Sequence, residues 1–309
     1  MIEIEHLTKR YKNVAAVNDL NLKVKRAEVF GFIGPNGAGK TTTIRILAGL
    51  LRPTSGKATI DGYDVIKDTM EVKKVVGYMP DLFGVYDQMR VWEYLDFFGA
   101  AYRIGKERRR EAIDRVLDIT GSRDMRDYYI GTLSRGMKQK IGLAKTLIHD
   151  PQVLILDEPA SGLDPRARIE LRDTIKNLKS QGKTIMISSH ILAELGDFCD
   201  TIGIIEKSKL LATGTLSDIM RQLRQHIIIE IQILDGMKQA EEILRMQKTV
   251  QSFTSSGDLI RVEFDGRIEE SSDLLKSLVT SGVRVQWYSE SPIDLEDVFM
   301  LVTSRSEGE

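Results

Sequence analysis

The chain has a single cysteine, Cys199, among its 309 residues. That excludes an internal disulfide and fits a reducing compartment. Cys199 is expected to be a small buried apolar side chain rather than a reactive thiol. Long apolar runs are missing too, since no uninterrupted stretch approaches the ~18 residues that span a bilayer. Glu3, Glu5 and His6 stand where a secretory signal would need an apolar run. Net charge is almost absent, at -1 from 44 basic and 45 acidic residues, so no global field draws the chain to nucleic acid. Internal repeats and low-complexity segments are lacking. The chain is therefore expected in the cytosol, or on a membrane only through a partner.

What is present has the composition of an ordinary globular protein, 42% hydrophobic and 29% charged. The length suits a core of about 200 residues with a smaller companion. Up to about Lys25 the apolar residues Ile2, Ile4, Leu20, Leu22 and Val24 alternate as in strands. The apolar strand Val29–Ile33 leads into a glycine loop and then a helical pattern, Ile44, Leu47, Ala48 and Leu51. Residues from about 82 to 150 read as helical, with Ile113, Val116 and Leu117 on one face and Ile141, Ala144, Lys145 and Ile148 on another. Buried strands return at Val153–Leu156 and Thr184–Ile187, separated by a helix near Arg166–Ser180. This alternation predicts an α/β fold with a parallel sheet covered on both sides.

The remainder reads as a separate small α+β domain over 226–309, leaving 1–218 for the first. Thr215 and Asp218 form the pattern of a capping box on a linking helix. Strand Ile227–Ile233, helix Met237–Gln247, a strand pair meeting at Ser255–Asp258, helix Ser272–Thr280 and strand Val283–Tyr288 follow, with a last helix from Asp294. The order βαββαβ predicts a ferredoxin-like unit, a fold that implies no particular role.

Gly34-Pro35-Asn36-Gly37-Ala38-Gly39-Lys40-Thr41 matches G-x-x-x-x-G-K-[ST] between a predicted strand and a predicted helix. Glycines let the backbone wrap phosphates, and the helix start adds oriented N–H groups and a favourable dipole. Lys40 is expected to reach the β- and γ-phosphates of ATP, and the Thr41 hydroxyl to bind Mg²⁺, with Thr42 beside it. By average residue frequencies the pattern arises by chance in about one chain in a hundred of this length. A second strand ends in Asp157-Glu158, the place where an open α/β sheet binds its ligand. Asp157 is expected to hold Mg²⁺, and Glu158 to polarise the attacking water.

Four further motifs carry a family resemblance. Leu133-Ser134-Arg135-Gly136-Met137 resembles the signature of the ATP-binding-cassette (ABC) ATPases, and Ser161-Gly162-Leu163-Asp164 resembles their D-loop. Ser188-Ser189-His190 looks like the switch histidine, and Tyr11 occupies the place of the adenine-stacking aromatic. Alone, a histidine after a strand is more often a hydrogen-bonded core residue. Together the motifs resemble an ABC cassette over about the first 215 residues. The resemblance implies a P-loop NTPase with a RecA-like core, an N-terminal antiparallel β subdomain and a helical subdomain. It also implies that Ser134 and Gly136 serve the γ-phosphate bound by a second subunit, so that a head-to-tail homodimer holds two composite sites. His190 would bond the γ-phosphate, and Asp164 would touch the partner's loop.

Four positions depart from the family pattern. Asp81 stands where the Q-loop glutamine is usual; it is either a turn residue after Pro80 or reaches Mg²⁺ through water. Arg135 and Met137 replace a glycine and a glutamine of the signature, and Ala27 replaces a glycine ahead of the phosphate-loop strand, with little consequence expected. Trp92, Leu95 and Phe98 fall on one helical face, which either packs within its subdomain or borders a groove near Phe83–Met89 for a permease helix. Lys106–Arg110 reads as a solvated helix start, with anionic lipid as the alternative. Met137–Ala144 and Leu295–Phe299 are similar to the type-two exporter ATPases, including the daunorubicin-resistance type. That implies ATP-driven export through a separate transmembrane permease, a peripheral place on the cytoplasmic face of the membrane, and no nucleic-acid partner. The alternatives are a non-transport ABC ATPase (repair, translation or iron–sulfur assembly) and a regulatory ATP switch.

Overall fold

The computed structural model describes residues 1–196, 198–223, 227–265 and 268–290. The chain forms two compact units that part between Leu216 and Ser217.

The first unit opens on β1 (Ile2–Tyr11) and β2 (Val14–Val24), an antiparallel hairpin whose alternating residues Ile2, Ile4, Leu20, Leu22 and Val24 are buried. Next come β3 (Val29–Ile33), α1 (Lys40–Leu47), β4 (Ser55–Ile60), β5 (Tyr63–Asp64), α2 (Thr69–Val75) and β6 (Val76–Met79). Helices α3 (Val91–Ala101), α4 (Lys106–Ile119) and α5 (Arg135–Leu147) make up the predicted helical region. The chain then runs through β7 (Val153–Leu156), α6 (Pro165–Ser180), β8 (Thr184–Ser189), α7 (Leu192–Leu195), β9 (Thr201–Glu206) and β10 (Lys209–Gly214).

Two sheets result. One is antiparallel, in the order β2-β1-β4-β5; the other has six strands, in the order β10-β9-β3-β8-β7-β6. Five strands of the larger sheet are parallel, and β10 adds an antiparallel edge against β9. The sheet is thus mixed rather than wholly parallel, because the tight Lys207-Ser208 turn returns the chain beside its own strand. Central strands β3 and β7 are buried along their whole length, as their unbroken apolar runs require. Phe30, Phe32, Ile155 and Met186 of the large sheet share one core with Ile2, Ile4 and Leu7 of the small one.

Three sequence expectations need correction. Helix α1 ends at Leu47 with Ala48 as its cap, so Leu51 lies beyond it. On α3 the buried stripe is Val91, Tyr94, Leu95 and Gly99, while Trp92 is only half-buried. The true stripe follows i, i+3, i+4 and i+8, the helical repeat, whereas 92, 95 and 98 drift off it. Ala27 is also not neutral: at φ 53 it sits in the left-handed region where a side chain is strained.

The second unit contains β11 (Ile227–Asp235), α9 (Met237–Met246), β12 (Val250–Ser256), β13 (Leu259–Phe264), α10 (Ile268–Thr280) and β14 (Arg284–Glu290), after the linking helix α8 (Leu216–Leu223). Its sheet is antiparallel in the order β12-β13-β11-β14, the ferredoxin-like arrangement. Ile229, Ile231, Ile260, Val262 and Phe264 pack with Ala240, Leu244, Leu274 and Leu278 of its helices. The helix expected from Asp294 and the marker Leu295–Phe299 lie outside the described residues.

Candidate active site

The buried strand β3 ends at Ile33 in the middle of the large sheet, between β8 and β9. The chain must turn there without side chains. A Cβ on Gly34 would lie 2.1 Å from the Ile205 carbonyl oxygen, and one on Gly39 would lie 2.2 Å from that of Ala16. Gly39 also has φ 109 and caps α1 with no side chain, so the first-turn N–H groups stay open to an anion. Pro35, Asn36, Gly37 and Ala38 make the bend between, closed by Ala38 N–H donating to the Pro35 carbonyl at 3.2 Å.

Lys40 folds back along this loop and is buried. Its ammonium donates to the Gly34 carbonyl at 2.6 Å and to that of Pro35 at 3.3 Å. The same ammonium lies 3.3 Å from Glu158 Oε1, an ionic contact without hydrogen-bond geometry. The other Glu158 oxygen is 2.8 Å from His190 Nδ1. One carboxylate therefore joins the phosphate loop to the end of β8. Glu158 itself has φ 51, a left-handed conformation held by its place between β7 and the following turn. A strained backbone at the end of a strand commonly marks a functional position.

Asp157 sits one residue earlier and deeper. Thr41 Oγ1 donates to its Oδ1 at 3.3 Å and Ser188 Oγ donates to the same oxygen at 2.7 Å. Burial pushes the Asp157 carboxyl above its ordinary value. The Ser188 and Thr41 hydrogen bonds oppose that shift, and the negative charges of Glu158 and Asp81 add to it. A buried carboxylate beside a hydroxyl is a hard, all-oxygen donor pair, and its uncompensated charge suits a divalent cation. Both features fit Mg²⁺, which takes one or two protein oxygens and fills its octahedron with water and phosphate oxygens.

Ser134, Gly136 and Asp164 gather in a second cluster. Ser134 caps α5, accepting from Met137 N–H at 3.3 Å, and Asp164 caps α6, accepting from Ala167 N–H at 2.9 Å. A Cβ on Gly136 would stand 3.7 Å from both Ala167 and Leu163, so the two helix starts pack together. The Arg135 guanidinium covers the bare face of Gly162, with Nη2 3.5 Å from Ser161 Oγ. Among the described residues, no hydrogen bond or ion pair joins Ser134, Gly136 or Asp164 to Lys40, Thr41, Asp157 or Glu158.

Tyr11 ends β1, about half exposed, with the Lys9 ammonium 5.1 Å above its ring. The return strand of its hairpin meets the phosphate loop where Ala16 backs Gly39. Thr42 is partly buried on the first turn of α1. Asp81 is exposed after Pro80, and its charge acts on both Asp157 and Tyr78. Cys199, expected to be buried, is only partly so; its sulfur packs where a Cβ on Gly31 would fall, and desolvation pushes the thiol up to about 12.

Two residues of this site, present in the sequence reading only as neighbours within motifs, have roles that the sequence did not assign. Ser188 supports both acidic residues, donating to Asp157 and accepting from Glu158 N–H at 3.0 Å. Its local signs were its place two residues before His190 and near the end of an otherwise apolar strand. Gln139, buried on α5, donates to the Pro159 carbonyl at 3.1 Å and so ties the second cluster's helix to the acidic turn.

Comparison with known proteins places the chain beside a family of ATP-binding proteins. The ABC transporter family model matches residues 17–161, and the model of the ATP-binding protein DrrA1-3-like C-terminal domain matches residues 214–303. The bacitracin transport ATP-binding protein BcrA of Bacillus licheniformis is 36% identical over 97% of this chain and 96% of its own. The linearmycin resistance ATP-binding protein LnrL of Bacillus subtilis (strain 168) is 32% identical over 91% and 88%. Among solved structures, an ATP-binding subunit of an ABC transporter superposes with a TM-score of 0.66 at 31% identity, over 72% of this chain and 92% of the other.

Proposed function

The chain belongs to the ABC transporter ATP-binding family, and on that footing we propose that Gly34–Thr41, Asp157 and Glu158 are the hydrolytic half of an ATP site that a second copy completes. As a member of that family the chain is an ATPase that powers transport. The observation that carries the site assignment is the shared carboxylate: Glu158 lies between Lys40 and His190, the two groups expected to hold the γ-phosphate.

In this reading ATP lays its phosphates over the N–H groups of the loop and the start of α1. Its γ-phosphate takes over Lys40 and His190, and Glu158 turns to a water in line with the γ-phosphorus. The water oxygen bonds to phosphorus, Glu158 accepts the proton, and the bond to the β–γ bridging oxygen breaks with its electron pair leaving on ADP. Thr41 and Asp157 would hold Mg²⁺, which neutralises phosphate charge when bound. Tyr11 stacks on adenine. Ser134, Gly136 and Asp164 of the second copy close the site from the opposite side, so ATP favours the closed dimer and hydrolysis releases it.

No helix among the described residues is long and apolar enough to cross a membrane. The proposal therefore includes a separate permease that docks near Phe83–Met89, with this chain on the cytoplasmic face. The names of BcrA, a bacitracin transport ATP-binding protein, and LnrL, a linearmycin resistance ATP-binding protein, support export of a drug. The test is release of phosphate from Mg²⁺-ATP by the purified chain, alone and with its permease. Turnover that survives Lys40→Ala would contradict the assignment.

A further inference from the structure

Asp81 is a poor link between nucleotide and permease: it is short, anionic and exposed, and it repels rather than binds a phosphate. Two residues on, the chain makes a different connection. The tip of the Phe83 ring rests on Gly142 in the middle of α5, so closely that a Cβ there would meet Cζ at 2.4 Å and Cε1 at 2.6 Å. Glycine weakens a helix interior, yet it stands at the one point of α5 where this ring lies.

The Lys145 ammonium, three residues further along α5, lies 5.3 Å from the Phe83 centroid and 5.3 Å from that of Phe98 on α3. Among the described residues the Lys145 ammonium has no ion pair or hydrogen bond, and the two rings are its cation–π partners. Burial lowers its pKa from the ordinary lysine value. Phe98 packs edge-on against Tyr94 at 4.9 Å, and the Tyr94 hydroxyl donates to the Gly84 carbonyl at 3.1 Å. The loop after Asp81 is thus held at Phe83 by α5 and at Gly84 by α3. Its neighbour Leu82 points outward, 84% exposed.

We propose that Phe83, Gly142 and Lys145 form a clip that makes the permease-facing loop 82–89 move with α5. Ser134 lies about 12 Å from Gly142 along the same helix. An engagement of Ser134 and Gly136 with a γ-phosphate is then carried along a rigid helix to the loop without passing through Asp81. The three are positioning residues, and the inference rests on the composite-site reading above.

The test is hydrogen exchange of the full chain with and without Mg²⁺-ATP, in a Glu158→Gln background, with ATP affinity measured separately by a fluorescent analogue. In the parent, ATP slows exchange both at the start of α5 and in residues 82–90. In Lys145→Met and in Gly142→Ala, ATP affinity stays within about threefold of the parent and the start of α5 still responds, while the loop response falls at least fivefold. Lys145→Arg, which keeps a cation between the rings, restores it. Should Gly142→Ala unfold, Lys145→Met and its arginine rescue decide the matter. A purely structural role would raise loop exchange equally with and without ATP and leave the difference intact; that result overturns the clip. A parent that binds ATP with no loop response also overturns it, whereas a parent that binds no ATP overturns the composite-site reading itself.

Discussion

Glu158 and His190 meet at 2.8 Å, Oε2 to Nδ1, while the second Glu158 oxygen lies 3.3 Å from the Lys40 ammonium. Two groups, one from the phosphate loop and one from the end of β8, thus converge on the single carboxylate at the end of β7. A γ-phosphate presents the same kind of target, an anion that accepts from both the ammonium and the imidazole. Exchange of one anion for the other frees Glu158 for a water.

Glu158→Gln keeps the size of the side chain and its contact with His190 but removes the base. ATP binding should persist while hydrolysis falls by roughly 10²–10⁴-fold, the range of general-base catalysis. Phosphate release measures the rate, and size-exclusion chromatography with ATP should show an accumulated dimer. Native turnover in this variant would remove Glu158 from the proposed role.

Asp157→Asn should make the nucleotide-free chain more stable at neutral pH. The Asp157 carboxyl is raised, chiefly by burial, so the folded state binds its proton more readily than the unfolded state does. Its contribution is therefore destabilising above the folded pKa and vanishes below the unfolded value. The advantage of asparagine should shrink as pH falls into that window, read by denaturant titration at several pH values. The same variant should lose Mg²⁺-dependent ATP hydrolysis.

His149 gives the opposite kind of pH dependence. It stacks on Tyr102 with centroids 3.8 Å apart and interplanar angle 5°, bonds the Val76 carbonyl at 3.1 Å, and burial holds its pKa at about 4. The unfolded chain takes up a proton near pH 6.5 and the folded chain does not. Stability should therefore drop by about 3 kcal/mol as pH falls from 6.5 to 4, at 1.36 kcal/mol per pKa unit. His149→Gln should flatten that part of the profile. An unchanged slope would place the titration elsewhere.

Ala27→Gly should stabilise the fold, because Ala27 occupies the left-handed region at φ 53. Relief of about 1 kcal/mol is expected, a rise of roughly 2–4 °C in Tm for a unit of this size. No rise on thermal denaturation would show that the strain is not felt.

Much of this site was legible because its chemistry is written in short spacings. Gly34–Thr41 and Asp157-Glu158 each occupy the end of one strand, so the apolar run before them announced their position. Ser134 and Asp164 were legible through the family motifs alone, and the structure adds that each is the cap that starts a helix. Ser188 was not, because its partners lie 30 and 31 residues away and only the parallel sheet joins them. Strand β10 escaped for a related reason: an edge strand is half solvated and lacks the apolar run that marks β3. The strain at Ala27 is a backbone angle, which side-chain identity at that position concealed.

The central claim, that each ATP site is shared between two copies of the chain, is tested most directly by turnover in dimers of defined composition. A pair carrying Lys40→Ala on one copy and Ser134→Arg on the other keeps one complete site. A pair carrying both changes on one copy beside a native partner keeps none. The expected result is hydrolysis in the first pair and its loss in the second; the reverse pattern would contradict the account.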